Sequence, residues 1–126
     1  MVKLLLDTHV LLWCLSSSDR LPASLREKIV DAHNDVWVSA ATVWEIGIKK
    51  ALGKLQVPDD LLEAITFSGF NPLPITLEHA ELAAKLPKHH DDPFDRMLVA
   101  QAMSEELILV SHDARLPSYN IPVLTC

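Results

Sequence analysis

At 126 residues the chain has room for one hydrophobic core and no second domain. An apolar fraction of 49% beside 22% charged residues is that of an ordinary globular protein and excludes a disordered one. The formal net charge of −6 excludes a passive nucleic-acid binder that works through a basic stripe, though not an enzyme that reaches phosphate through bound cations.

The chain opens on MVKLLLDTHVLLWCL, in which Val2 to Leu6 is an apolar run that predicts a buried strand ending abruptly at Asp7. Asp7 and His9 interrupt the apolar stretch and no small-residue cleavage site follows, so it is not read as a signal peptide. A helix is predicted from His9 through Leu15, broken by Ser16–Ser18. A second starts near Pro22 or Ser24, with Ser24 and Glu27 at capping-box spacing and Leu25, Ile29 and Ala32 on its apolar face. Asp35 to Ser39 predicts the second strand, and Ala41 to Leu52 a third helix that Gly53 stops.

Further on, a helix is predicted over Asp59 to Thr66, a strand over Pro72 to Ile75, and a surface helix over Thr76 to Leu86 with Leu77, Ala80 and Ala84 inward. PKHHDDP reads as a polar loop, and Pro93 opens a helix running to about Glu105. Leu107 to Val110 and Pro122 to Leu124 complete the strands. Strands alternating with helices imply an α/β fold around a parallel sheet. Cys14 and Cys126, far apart and without CxxC spacing, suit a reduced cytoplasmic chain, and no apolar stretch is long enough to span a membrane.

Ligands of such sheets bind beyond the carboxyl ends of the strands, where Asp7 and Asp113 fall. Asp95 lies in the first turn of the helix that Pro93 opens. Glu45 shares a helical row with Ala41, Ile48 and Leu52, and should therefore face protein. Each has a plainer reading. Asp7 suits a helix cap, Glu45 an ion pair with Lys49, Asp92 and Asp95 a helix start, and Asp113 a turn. The conjunction weighs more: at ~4 Å and an effective dielectric of ~20, each carboxylate pair costs about 4 kcal/mol. Four acids at one edge call for cations, and oxygen donors favour Mg²⁺ or Mn²⁺. Phosphodiester hydrolysis is the chemistry that follows.

At these residues LLLDTHVLLW, VSAATVWEIGIKKALGKL, HHDDPFDRMLVAQA and LVSHDARL resemble the PIN-domain ribonucleases, and more narrowly the VapC-type toxins of prokaryotic toxin–antitoxin pairs. The resemblance covers nearly the whole chain, residues 1–126 as one PIN-like domain. It implies a five-stranded parallel sheet between α-helices, cytoplasmic location, a homodimer, an RNA substrate, and a cognate antitoxin that inserts a basic segment into the acidic pocket. It also implies one or two Mg²⁺ or Mn²⁺ ions held by Asp7, Glu45, Asp95 and Asp113, with Asp7 and Asp95 as direct ligands. Thr8, Ser39 and Ser111 match hydroxyl positions that help hold the carboxylates or water. Arg96 matches a residue for which a phosphate contact and an ion pair within the site are both open.

Competing constellations are weaker. His89, His90 and His112 with Asp91 and Asp92 lack helical zinc-site spacing, so the loop histidines are expected to be solvated. Lys49, Lys50 and Lys54 suit either RNA phosphates or a helix C-terminus. Trp13, Trp37 and Trp44 are expected in the core. An aspartate-based phosphatase would want a second acid where His9 stands, and a non-catalytic module with an acidic cleft would bind without cutting.

Overall fold

The computed structural model describes residues 1–126 other than positions 56 and 58. Its strands are β1 (Lys3–Leu6), β2 (Asp35–Ser39), β3 (Asn71–Leu73), β4 (Ile108–Ser111) and β5 (Val123–Thr125). The helices are α1 (Thr8–Leu15), α2 (Ala23–Val30), α3 (Ala40–Ala51), α4 (Leu61–Phe67), α5 (Leu77–Lys85) and α6 (Pro93–Glu105), with a 3₁₀ turn over Leu116–Tyr119. The five strands form one parallel sheet, as expected from the sequence, and their order is β3-β2-β1-β4-β5.

The apolar run in β1 has its cause in this order. The strand is central, paired with β2 on one side and β4 on the other, and Leu4, Leu5 and Leu6 are all 0% exposed. A strand covered on both faces needs no polar alternation. Leu4 and Leu6 point into a core shared with Val36, Val38, Leu11, Leu25, Ile46 and Ile65, under α1 to α4. Leu5 points the other way, into a core with Leu98, Val99, Leu109, Leu116 and Tyr119, under α6 and the 3₁₀ turn.

Helix ends mostly follow the local signals. Gly53, at φ +71°, ends α3 with its N–H on the Lys50 carbonyl while Lys54 N–H reaches Lys49, a Schellman arrangement. Three expectations fail. The Ser24–Glu27 capping box does not form; α2 starts at Ala23 after Pro22, with no side-chain cap, and Ala32 lies beyond its end. In α5 the buried face is the other one: Leu77 is 88% exposed, while His79, at 1%, is enclosed. His79 can be buried because its ring is fully partnered, by Thr76 N–H and Gln101 at Nδ1 and by Glu105 at Nε2, 2.9 Å away. Trp44 is 64% exposed, not core, and touches Phe94 edge-on with ring centres 5.3 Å apart.

No helix among the described residues is long and apolar enough to cross a membrane.

Leu5→Ala should remove about 2–5 kcal/mol of stability, because a central strand held on both sides cannot collapse onto the vacancy. Urea unfolding measures it, and a loss below about 1 kcal/mol would contradict the two-layer core.

Candidate active site

The join between β1 and α1 has no loop. Asp7 N–H completes the sheet ladder on Val110 O at 3.0 Å, while Asp7 Oδ1 accepts from Val10 N at 2.8 Å and so caps α1. The cap and the site are therefore one residue, 4% exposed, at the carboxyl edge of the sheet. Its other oxygen, Oδ2, accepts from the Ser111 hydroxyl at 2.6 Å, and Ser111 Oγ in turn accepts the Asp113 N–H at 3.1 Å. Ser111 ends β4, so one hydroxyl ties together the acids that follow two neighbouring strands.

Glu45 reaches the same edge from α3 and is 5% exposed. Thr8 donates its hydroxyl to Glu45 Oε1, and Lys49 Nζ lies 3.1 Å from Oε2. The helical ion pair is thus present, and the glutamate is buried in spite of it. The apolar row that predicts this burial holds only in part, since Ile48 and Leu52 are 37% and 63% exposed.

Asp95 sits in the first turn of α6, whose cap is Asp92, accepting from Phe94 N at 2.8 Å. Asp113 follows β4 and is gripped by Arg115, with Nε at 3.1 Å from Oδ1 and Nη2 at 2.9 Å from Oδ2. Between them stands His90. Its Nε2 is 3.0 Å from Asp95 Oδ2 and 2.8 Å from Asp113 Oδ2. This histidine is 5% exposed, against the expectation of a solvated loop.

Two other expected roles change. Ser39, fully buried, caps α3 through the Ala41 N–H at 3.0 Å and holds no carboxylate. Arg96 points away from the acids. It donates to the carbonyls of Ala83, Leu86 and Pro87 at 2.9, 2.8 and 3.0 Å, and lies 3.4 Å from that of His90. No ion pair is among its contacts in the described residues, and it fastens the loop that carries His90. Sequence reasoning missed Arg115, and weighed His90 only within a zinc constellation, not as a partner of Asp95 and Asp113. For Arg115 the signal was its place two residues after a turn aspartate, which lets its own N–H reach Asp113 Oδ1 at 2.9 Å.

Asp7, Glu45, Asp92, Asp95 and Asp113 all line one cavity of about 260 Å³, with Lys49, Arg115, His9 and His112 at its edge. A larger cavity of about 540 Å³ opens among Arg26, Asp35, Phe70 and Asn71, by residues that begin β2 and β3, away from the strand ends where ligands bind. The charges in the acidic pocket are answered unequally. Arg115 holds the Asp113 carboxyl well below the usual carboxylate range. Burial, and then the carboxylates of Asp92, Glu45 and Asp7, push Asp95 up to about 7 against the pull of His90. Burial also lowers His9.

One ligand atom from each of His90, Asp95 and Asp113 fits within 4.8 Å of the others. The surroundings are rich in carboxylate oxygen, and Asp95 is short of positive charge. Such a donor set fits a hard divalent cation.

A model of the family described as PIN domain matches residues 4–121. Among solved structures, the fold is similar to that of DNA-bound VapBC from Salmonella typhimurium, with TM-score 0.71, 20% identity, and 99% and 98% of the two chains covered. It is also similar to VapBC-1 from nontypeable Haemophilus influenzae, with TM-score 0.71, 17% identity and 98% of each chain. A third is a toxin–antitoxin complex from Klebsiella pneumoniae, with TM-score 0.65, 21% identity, and 96% and 95% covered. No curated protein matches the sequence.

The folded chain keeps the Asp95 proton to about pH 7, whereas an unfolded aspartate loses it near ~3.9. The native state therefore binds the extra proton between these values, and stability is greatest below the lower one and falls as pH rises through the upper. Urea midpoints of metal-free protein should show this decline, and Asp95→Asn should flatten it. A slope unchanged by the substitution would mean that Asp95 is not under strain from its neighbours.

Proposed function

The chain belongs to the PIN-domain family, and from that premise we propose that it is a metal-dependent endoribonuclease, the VapC-type toxin of a toxin–antitoxin pair. One observation carries the proposal: acids from four separate segments, Asp7, Glu45, Asp95 and Asp113, line a single small pocket at the carboxyl edge of the sheet. Burial first, and then the neighbouring carboxylates, push Asp95 up to about 7, as befits a crowded acidic pocket.

In this reading Asp7 and Asp95 hold a Mg²⁺ or Mn²⁺ ion directly, with Glu45 and Asp113 completing the acidic set. The bound ion supplies a lowered pKa for the attacking water and neutralises charge on the phosphate. The protein's own groups do the rest. Ser111 Oγ–H fixes Asp7 Oδ2, and Thr8 Oγ1–H fixes Glu45 Oε1, so both carboxylates are aimed before any ligand arrives. Below about pH 7 the metal-free Asp95 carboxyl holds a proton, which it would give up as the site is filled. Lys49 and Arg115, 37% and 62% exposed at their side chains, bring positive charge to the rim of a chain whose net charge is −6 and would otherwise repel RNA. No side chain becomes acylated or phosphorylated, because water is the nucleophile.

The VapBC complexes among the similar folds support an antitoxin as partner. A basic antitoxin side chain suits the acidic pocket, where it would compete with Arg115 for Asp113. A homodimer belongs to the same proposal.

Purified protein should cut RNA when Mg²⁺ or Mn²⁺ is supplied, and Asp7→Asn and Asp95→Asn should each lower the rate by at least about 100-fold on the scale of ~3 kcal/mol in barrier. Equal cutting by all three proteins would end the assignment. Thermal melts give a second check. Without metal Asp95→Asn should melt at or above wild type, and millimolar Mn²⁺ should raise the melting temperature of wild type more than that of the variant. Identical responses to Mn²⁺ would argue against a shared ion site.

A further inference from the structure

The cluster of His90, Asp95 and Asp113 has the look of a three-ligand metal site with one nitrogen donor. The hydrogen bonds around the imidazole say otherwise. Asp92 N–H points at His90 Nδ1, 3.0 Å away. A backbone amide can only donate, so Nδ1 must carry a lone pair, and the ring proton must then sit on Nε2. That nitrogen hydrogen-bonds Asp113 Oδ2 at 2.8 Å and lies 3.0 Å from Asp95 Oδ2. The network is consistent only in this tautomer. Coordination through Nε2 would send the proton to Nδ1, where it would meet the Asp92 N–H donor to donor.

The ring has little freedom to escape this arrangement. Arg96 fastens the loop at Leu86, Pro87 and His90 to α5 at Ala83 through four backbone carbonyls, and the Tyr119 hydroxyl lies 3.5 Å from the His90 carbonyl. The same Asp92 that orients the imidazole caps α6 and so fixes Asp95. Loop, helix start and carboxylates form one rigid unit.

We propose that His90 is a positioning residue that spans the carboxylates of Asp95 and Asp113 with its Nε2–H, setting their separation for the divalent ion while staying outside the ion's coordination shell. The role rests on the reading of the pocket as a divalent-cation site. It makes the inner shell all oxygen, which favours Mg²⁺ and Mn²⁺ over the imidazole-seeking metals. Outer partners of this kind set ligand geometry, and their loss weakens metal binding without removing a ligand.

The test has two arms. NMR of the histidine nitrogens in the metal-free protein should show His90 protonated at Nε2 and bare at Nδ1; a proton on Nδ1 would overturn the proposal, whatever the pocket binds. In the second arm, Mn²⁺ is titrated into wild type, His90→Ala and His90→Gln and followed by EPR. Pulsed spectra of Mn²⁺-loaded wild type should carry no imidazole nitrogen coupling. His90→Ala should bind Mn²⁺ about 10- to 100-fold more weakly, and His90→Gln, whose amide N–H reaches the place of Nε2–H, should recover most of that loss. A nitrogen coupling abolished in His90→Ala would make the histidine a ligand and refute the proposal. Equal affinities for wild type and His90→Ala would refute it as well. Failure of wild type to bind Mn²⁺ at all would instead remove the ion site, and with it any positioning for an ion.

Discussion

Like charges crowded at one end of a parallel sheet are the constraint to which this structure answers. Carboxylates that share a small pocket repel by several kcal/mol per pair at short range, more than a marginally stable fold tolerates unanswered. The chain meets each with a different donor. Asp7 receives a backbone amide and a serine hydroxyl, Glu45 a threonine hydroxyl and a lysine, and Asp113 the arginine fork and a histidine. Asp95 receives the least, a share of His90, and is the one whose acidity shifts furthest toward neutrality. The protein leaves one acid under-compensated in a pocket where every other is held.

Economy in the backbone makes this possible. Asp7 follows β1 and caps α1, Ser39 ends β2 and caps α3, and Asp92 caps α6 while steering His90. The carboxyl edge of the sheet is therefore made of residues that would be needed there to start the helices. Asp7, Glu45 and Asp95 stand on or directly beside these strands and helices, and the rigidity of those elements passes to them, while Asp113 follows two residues after β4 ends.

Much of this was legible in the sequence. β1 reads as an unbroken apolar run because both of its faces are buried, and its abrupt end at Asp7 marks the edge of the sheet. The four acids were found because each stands at a strand end, at a helix start or on a buried helical row. What could not be read depended on distant partners. His90 lies in a loop whose local pattern signals solvent, and its burial is decided by Arg96 and by Tyr119, which is 29 positions away. Arg96 was visible as important, yet its targets are carbonyl oxygens, which leave no trace in side-chain patterns. On α5 the apolar stripe of Leu77, Ala80 and Ala84 competed with His79, and burial went to the residue whose polar atoms had partners waiting on α6.

The central place of β1 has a bearing on how the protein comes into being. Its flank against β4 stays open until a segment over a hundred positions later has been made, and the bond from Ser111 to Asp7 spans 104 positions. A nascent chain emerging from the ribosome carries Asp7 and Glu45 long before Asp95 and Asp113 exist to face them. A chain that stops before β4 leaves the apolar β1 without one of its two partner strands and the pocket without Asp113. The acidic pocket is complete only once synthesis has passed the last of the four acids.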